Sequence, residues 1–475
     1  MTDDVSFESL RRTGISFQPD SHIPEVIANK YQVKATGEEA RKYDFVTARP
    51  PARTTNVLES IGYLTKSCLG AGVVAIHESY KDCGLWTGLI LNIVLGLAIS
   101  YGMYTLAKSA QKIYGRLQIP ALSYPDLAQA TLEIGPWKSL KRFSKCFRYT
   151  VDFILIIEIA GCCCIYQIVV ARAIKQLVEG LDTVTDSRVG TSPSIRVYII
   201  SLMIPCILLC MITNLKYLAP FSTVADFFIV IMAIATVYFA VKSANISPLE
   251  MSFFKSVPGV FEFIGVCGFS MDGVGVILTI ENSMTEPKKL PTVLIGGMTL
   301  VMLLVTTVGF FGYWGFGENT TTPVTINFPW EPFPIIMKVF LALMIYITFG
   351  LNFWVACDVM WFYLKSRHEP KKHWLWERVY RAVLVVFITI VAAAFPNVTK
   401  FIGLIGSFCL SNLGFIYPAF IELSLDWEDP GPGVFYWRLW KFVVIFLWGL
   451  VLCIAGSYVN ARELIIRVFH KKNES

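Results

Sequence analysis

Residues 63–78 read YLTKSCLGAGVVAIHE, and residues 268–282 read GFSMDGVGVILTIEN. Each stretch sits inside an apolar run and carries a glycine cluster, Gly70-Ala71-Gly72 in the first and Gly268 to Gly275 in the second. Ionisable groups lie close by: His77 and Glu78, then Asp272 and Glu281. Neither feature suits a helix surrounded by lipid. Glycine lowers the cost of leaving helical geometry and lets backbone approach another group. Unwound backbone at membrane depth is tolerated only where it is buried in protein or lines a cavity. For either stretch alone, close packing of helices through small residues is an equal explanation. Matched in position, as the first and sixth spans, the two point to interrupted helices that share one site. A half-helix that restarts after a break offers free N–H groups and a positive dipole end, suited to a carboxylate. Carbonyls freed on the other side accept from an ammonium group.

Working outward, the 475-residue chain is 55% hydrophobic and only 16% charged, against about a quarter charged in a soluble domain. Aromatic residues make up 14%, with 12 Trp, as expected of a bundle with interfacial belts. Apolar segments long enough to span a bilayer run at about 57–79, 84–107, 146–174, 195–215, 218–243, 257–280, 291–316, 334–364, 379–396, 398–424 and 434–459. The ninth and tenth are separated only by Pro396 and Asn397. Residues 1–55 form a polar tail without an apolar core and are expected to be cytosolic and disordered; 56–463 form the membrane domain and 464–475 a short polar tail. With the N-terminus inside, Lys138, Lys141, Arg142 and Lys145, then Lys288 and Lys289, then Lys365, Arg367, Lys371, Lys372 and Arg378 all lie in cytosolic loops. The segment Ser123–Phe143 reads as a short cytosolic interfacial helix.

The net charge of +6 sits beside apolar runs, as juxtamembrane anchoring requires, and not in a tract suited to nucleic acid. Of the 12 cysteines, Cys162, Cys163, Cys164, Cys206, Cys210, Cys409 and Cys453 fall within spans and behave as small apolar residues. No cysteine or histidine spacing suggests a metal. No nucleophile–base pairing or phosphate loop is present, so an enzyme is a poor reading and no cofactor is expected. Sequons at Asn245, Asn319 and Asn397 fall on the non-cytosolic side of this layout and are glycosylation candidates.

Further segments extend the pattern. Leu69-Gly-Ala-Gly72 is followed by Lys81-Asp-Cys-Gly84; Gly268 to Gly275 is followed by Glu281-Asn-Ser-Met284; and Leu404-Ile-Gly-Ser-Phe-Cys409-Leu-Ser411 runs on to Pro418. On these motifs the chain resembles the amino acid/auxin permease superfamily, and its proton-coupled amino acid transporter branch in particular, from about Asn56 to Glu463. The resemblance implies an all-α integral membrane protein of about 11 transmembrane helices. Ten of them form a LeuT-like 5+5 inverted repeat with helices 1 and 6 broken. It further implies that Gly70, Ala71 and Gly72 hold a substrate carboxylate, while carbonyls near Gly268, Phe269 and Ser270 hold the amino group. The chain departs from proton-coupled members at Tyr63 and His77 in the first span and at Asp272 and Thr279 in the sixth.

Ionisable groups inside a membrane cost roughly 2.5–3.5 kcal/mol each and usually face a cavity or a partner. Asp272, within the sixth-span break, is a candidate for substrate contact or proton exchange. His77 and Glu281 are further proton-coupling candidates, with an interfacial position the bland reading of His77. Glu158, amid Cys162–Cys164 and Tyr166, reads as a brace between helices. The expected function is secondary transport of an amino acid, driven by a proton gradient, around a midplane site. The rival is an amino-acid-binding sensor with little turnover, motivated by Tyr63, His77 and Thr279. The expected partners are the amino acid and lipid. The plasma membrane and a lysosomal or endosomal membrane are both open.

Overall fold

The computed structural model describes residues 31–49, 54–180, 193–212, 219–244, 246–427, 431 and 433–470. Among these the chain is helical, with a single bridge where Thr55 meets Met284. Among the described residues, seven helical stretches are long and apolar enough to cross a bilayer, beginning with Leu85–Leu117 and ending with Val434–Ile466.

The first predicted span is two half-helices, α2 (Val57–Cys68) and α3 (Ala71–Cys83), after a short tail helix α1 (Gly37–Lys42). Asn56 caps α2 in a capping box with Glu59, which satisfies backbone donors that a helix start leaves open. Next come α4 (Leu85–Leu117), α5 (Tyr124–Ile134) and α6 (Ser144–Glu179). The fourth predicted span is kinked into α7 (Ile195–Ser201) and α8 (Met203–Cys210), and α9 (Ala219–Ser243) covers the fifth. The sixth breaks into α10 (Val257–Ser270) and α11 (Ile277–Ser283). Beyond them lie α12 (Leu290–Phe316), α13 (Pro332–Lys365), α14 (His373–Ala394), α15 (Val398–Leu410) and α16 (Tyr417–Asp426), then α17 (Trp437–Val451) and α18 (Ser457–His470). A π-helical turn over Ser411–Ile416 joins α15 to α16, and another over Leu452–Gly456 joins α17 to α18.

The break after Ala394 lies where Pro396 and Asn397 placed it, because proline cannot continue the helix and Asn397 caps the next one by accepting from the Lys400 amide at 3.2 Å. Helix α5 differs from a helix lying in the headgroup layer. Ser123 caps it, its residues are mostly buried, and the Tyr124 hydroxyl donates to the Leu413 carbonyl at 2.8 Å. It packs up into the bundle. The predicted end of the second span near 107 is ten residues short of Leu117, since the added turns are fastened by polar contacts. Lys112 pairs with Asp426, and Arg116 donates to the Leu425 carbonyl at 3.0 Å.

Part of the polar tail is seated against this same side of the bundle. The amides of Lys34 and Ala35 donate to the Arg116 carbonyl at 2.9 and 3.1 Å. Arg49 donates to the Glu281 carbonyl and carboxylate, each at 3.0 Å, and to the Pro120 carbonyl at 3.1 Å. We call this the near side, because the chain enters the bundle from it.

Helices α10 and α15 cross with almost no space between them. A Cβ on Gly406 would lie 2.1 Å from the Gly265 carbonyl oxygen, so only glycine permits this approach.

Candidate functional site

The two breaks meet in the middle of the bundle and leave a cavity of about 280 Å³. Its walls are Tyr63, Lys66, Gly70, Ala71 and Gly72 from the first span and Leu155, Glu158, Cys162 and Tyr166 from α6. Phe228 and Ile229 come from α9, Phe269, Asp272 and Gly273 from the second break, and Met344, Ile345 and Asn352 from α13. A small, mostly apolar chamber with a few convergent polar groups is the usual form of a small-molecule site.

Helix α3 starts at the cavity wall. Gly70 is its cap residue, and Ala71 and Gly72, whose first-turn amides have no partner within the helix, both line the chamber. Across the cavity α10 stops at Ser270. Its end tightens, with the Met271 amide donating to the Gly268 carbonyl at 3.1 Å and the Asp272 amide to Phe269 at 3.5 Å. A carbonyl has two lone pairs, so the Phe269 oxygen keeps capacity for a ligand. Asp272 turns back to accept from the Val274 amide at 3.0 Å and lines the chamber. The structure therefore gathers Gly70, Ala71, Gly72, Phe269 and Asp272 around one space. Gly268 and Ser270 stand behind that wall: a Cβ on Gly268 would meet Leu410 at 2.3 Å, and Ser270 faces Gly72.

Glu158 was read from sequence as a brace. It lines the cavity, half-buried, as does Asp272. The two belong to segments separated by more than a hundred residues, so their place at one cavity had no local signal.

On the far side the two half-helices are sealed. Lys400 from α15 pairs with Glu262 of α10 and, at 3.0 Å, with Asp82 of α3. Glu78 accepts from the Thr399 hydroxyl at 2.6 Å and the Thr322 amide at 3.1 Å. Arg172 donates to the carbonyls of Thr322 at 2.8 Å and Pro396 at 3.1 Å. His77 is fully buried and bonds through Nε2 to the Thr321 carbonyl at 3.0 Å, so it belongs to this seal and not to the cavity wall. Lys400 and Glu262 were not singled out from sequence, and Asp82 only as part of the Lys81–Gly84 motif, although a lysine and a glutamate inside apolar runs are a signal to look for partners.

On the near side the cavity reaches Tyr63, Lys66 and the exposed Ser67 on α2, and Thr279 on α11. Glu281, fully buried below it, is held by Arg49 and by the Gln111 amide at 3.0 Å. Substituting Arg49→Ala leaves that carboxylate without its cation. We expect the loss of about 2 kcal/mol from the seating of residues 31–49, read as faster proteolysis of the tail in the purified variant.

Of the sequon asparagines, Asn319 is exposed on the loop after α12. Asn397 is engaged as a helix cap, and Thr399 of its sequon is buried against Glu78. Asn245 lies outside the described residues. Among the described residues no cluster of metal-ligating side chains occurs.

Two interrupted helices crossing at a cavity that is sealed on one side define a membrane carrier of the inverted-repeat class. The fold agrees with solved carriers: the nucleobase–cation symporter Mhp1 matches with a TM-score of 0.50 at 12% identity in its closed, bromovinylhydantoin-bound form, covering 88% of this chain and 94% of that one. Its inward-facing form matches with 0.51, also at 12%, covering 86% and 92%. Residues 53–461 match the family described as "Transmembrane amino acid transporter protein", and the chain belongs to that family. It is 31% identical over 436 residues to the "proton-coupled amino acid transporter-like protein pathetic" of Drosophila melanogaster, across 91% of this chain and 90% of that protein. It is 25% identical to the "probable amino acid transporter skat-1" of Caenorhabditis elegans, across 88% and 92%. The protein is a secondary transporter and not an enzyme.

Proposed function

We propose that this protein carries amino acids across its membrane together with protons, and that the structure is its inward-facing form. The observation that carries this reading is the pairing, across one small cavity, of the free amides at Ala71 and Gly72 with the Phe269 carbonyl and the Asp272 carboxyl. An amino acid is a zwitterion. Its carboxylate suits the positive start of α3, and its ammonium group suits the carbonyl and carboxyl opposite. The apolar walls leave room for one side chain. With the N-terminus and the basic loops in the cytosol and eleven crossings, the near side is cytosolic and the sealed far side is external or lumenal. Asn319 then lies where glycosylation occurs. The membrane is the plasma membrane or a lysosomal or endosomal one, and the proton gradient is the only driving force the reading needs. In this placement His77 acts through the outer seal and Glu281 through the inner one.

The test is uptake of a panel of labelled amino acids by liposomes containing the purified protein, with and without an inward proton gradient. Accumulation of a subset of neutral amino acids that collapses on adding a protonophore is the expected result. Saturable binding without uptake would overturn the transporter reading in favour of a sensor. Uptake that ignores the gradient would remove the protons and leave the carrier.

A further inference from the structure

Resting on that reading of the far side as external or lumenal, we propose that His77 is a proton-operated latch on the loop 320–327. While its ring is neutral the loop stays shut over the far-side seal; when the ring takes a proton from the far side the loop is released.

The loop is built as a lid. The Thr321 amide donates to Asn327 Oδ1 at 3.0 Å, and the Asn327 side chain donates back to the carbonyls of Thr321 at 2.8 Å and Val324 at 3.2 Å. This folded turn is fastened to three helices. The Thr322 backbone is held by Glu78 of α3 and Arg172 of α6, and its hydroxyl lies 3.2 Å from that of Thr399 on α15. Gln176 of α6 donates to the Ile326 carbonyl at 3.1 Å. Thr320, Thr322, Val324 and Thr325 are fully buried. The lid thus ties α3 to α6 and α15, and the far side cannot open while it is seated.

His77 sits beneath the lid, and its contacts set its protonation. Nε2 faces the Thr321 carbonyl at 3.0 Å, which can only accept, so Nε2 carries the hydrogen. Nδ1 is buried, and among the described residues nothing bonds to it. A bare nitrogen is tolerated there, but a second N–H and its positive charge would be buried without an acceptor. Helix α12 closes the other side: a Cβ on Gly312 would lie 2.7 Å from His77 Cβ. The charged groups nearby are engaged elsewhere. Glu78 on α3 accepts from Thr322 and Thr399, and Arg172 on α6 binds the Thr322 and Pro396 carbonyls. Lys400 on α15 is paired with Glu262 of α10 and Asp82 of α3. Glu318, past the end of α12, takes Lys255 and the Tyr313 hydroxyl.

The closed lid therefore fits only the neutral ring, whereas an open lid leaves the ring in water, where an imidazole titrates near about pH 6.5. Above that pH the proton favours neither form. Below it the open form gains, by at most about thirtyfold between about pH 7.5 and about pH 5. The ring must shed its proton before the lid can reseat, so that proton returns to the side it came from. The latch sets when the far side opens for loading, and is distinct from the proton that is carried.

The test is the distance between spin labels on the exposed positions Asn319→Cys, beside the lid, and Val178→Cys, on α6, with the exposed Cys146 replaced by serine. In the purified protein a longer-distance component is expected to grow as pH falls through about 6.5. Adding His77→Gln, whose amide still donates to the Thr321 carbonyl but does not titrate, is expected to hold the short distance at every pH. Distances that ignore pH in the otherwise wild-type chain, or that shift equally with H77Q, would overturn the proposal. Should H77Q leave the lid open at every pH, Glu262→Gln decides: an acid response that survives removal of this other titratable group supports the latch, and its loss overturns it. The distances are read without transport, so absence of uptake would remove the carrier reading and leave the latch to be judged by itself.

Discussion

Replacing Gly72 with leucine is expected to abolish amino acid binding, and even Gly72→Ala is expected to weaken it by at least about tenfold, or 1.4 kcal/mol. A Cβ at this position would lie 2.5 Å from the Ser270 hydroxyl and 2.7 Å from the Ser270 Cα. The second of these is backbone, so no rotamer change relieves it, and α3 must move away from α10. That displacement separates the amides at 71 and 72 from the carbonyl and carboxyl at 269 and 272. Gly70 offers the contrast: its Cβ would meet only the Tyr166 hydroxyl at 3.1 Å, the tip of a side chain and not backbone. Gly70→Ala should therefore cost less than Gly72→Ala, while Gly70→Leu fills the chamber and should also abolish binding. Equilibrium binding of a labelled amino acid to purified variants reads both effects. Wild-type affinity in Gly72→Ala would show that the crossing does not hold the ligand.

Lys400→Met should be the most destabilising single change in the far-side seal. It leaves Glu262, 2% exposed, as a buried carboxylate beside Asp82 with its cation removed. Breaking a buried ion pair from one side costs about 3–5 kcal/mol, whereas replacing both partners with apolar groups is often close to neutral. The double variant K400M/E262M should accordingly regain much of the loss. The checks are thermal unfolding in detergent and the rate at which a thiol reagent added from the far side reaches a cysteine introduced into the cavity wall. The single variant should unfold at lower temperature and react faster. A cost below about 1 kcal/mol with no recovery in the double variant would mean that the three charges are separately solvated and fasten nothing.

What could be read from the sequence was what depends on near neighbours along the chain. A glycine cluster within an apolar run marks the place where helix can stop, and the first break falls at Leu69 and Gly70, the latter the first residue of the predicted cluster. The sixth-span break runs from Met271 to Val276, again within the predicted stretch. Span limits followed hydropathy and went wrong where hydropathy stopped reporting burial: α4 continues through Lys112 and Arg116 because partners on α16 receive them. The tail gave a similar lesson. Its composition argued for disorder, yet Arg49 finds Glu281 more than two hundred residues away. The site was legible in its backbone part and in Asp272, which lies within the glycine-rich stretch itself. Gly70, Ala71 and Gly72 were visible because a restarted helix presents its amides whatever surrounds it. That Glu158 would line the same cavity was not, since nothing in its spacing tells which helix it will face. The same holds for the far-side charges, where one apolar run supplies Lys400, another Glu262, and the link between the first two runs Asp82.

The measurement that tests the central claim most directly is a structure determined with a transported amino acid at saturating concentration. The account predicts density in the chamber between the two breaks, with the ligand carboxylate against the amides of Ala71 and Gly72 and its ammonium group toward the Phe269 carbonyl and Asp272. Density elsewhere in the bundle, or the opposite orientation in this chamber, would contradict it.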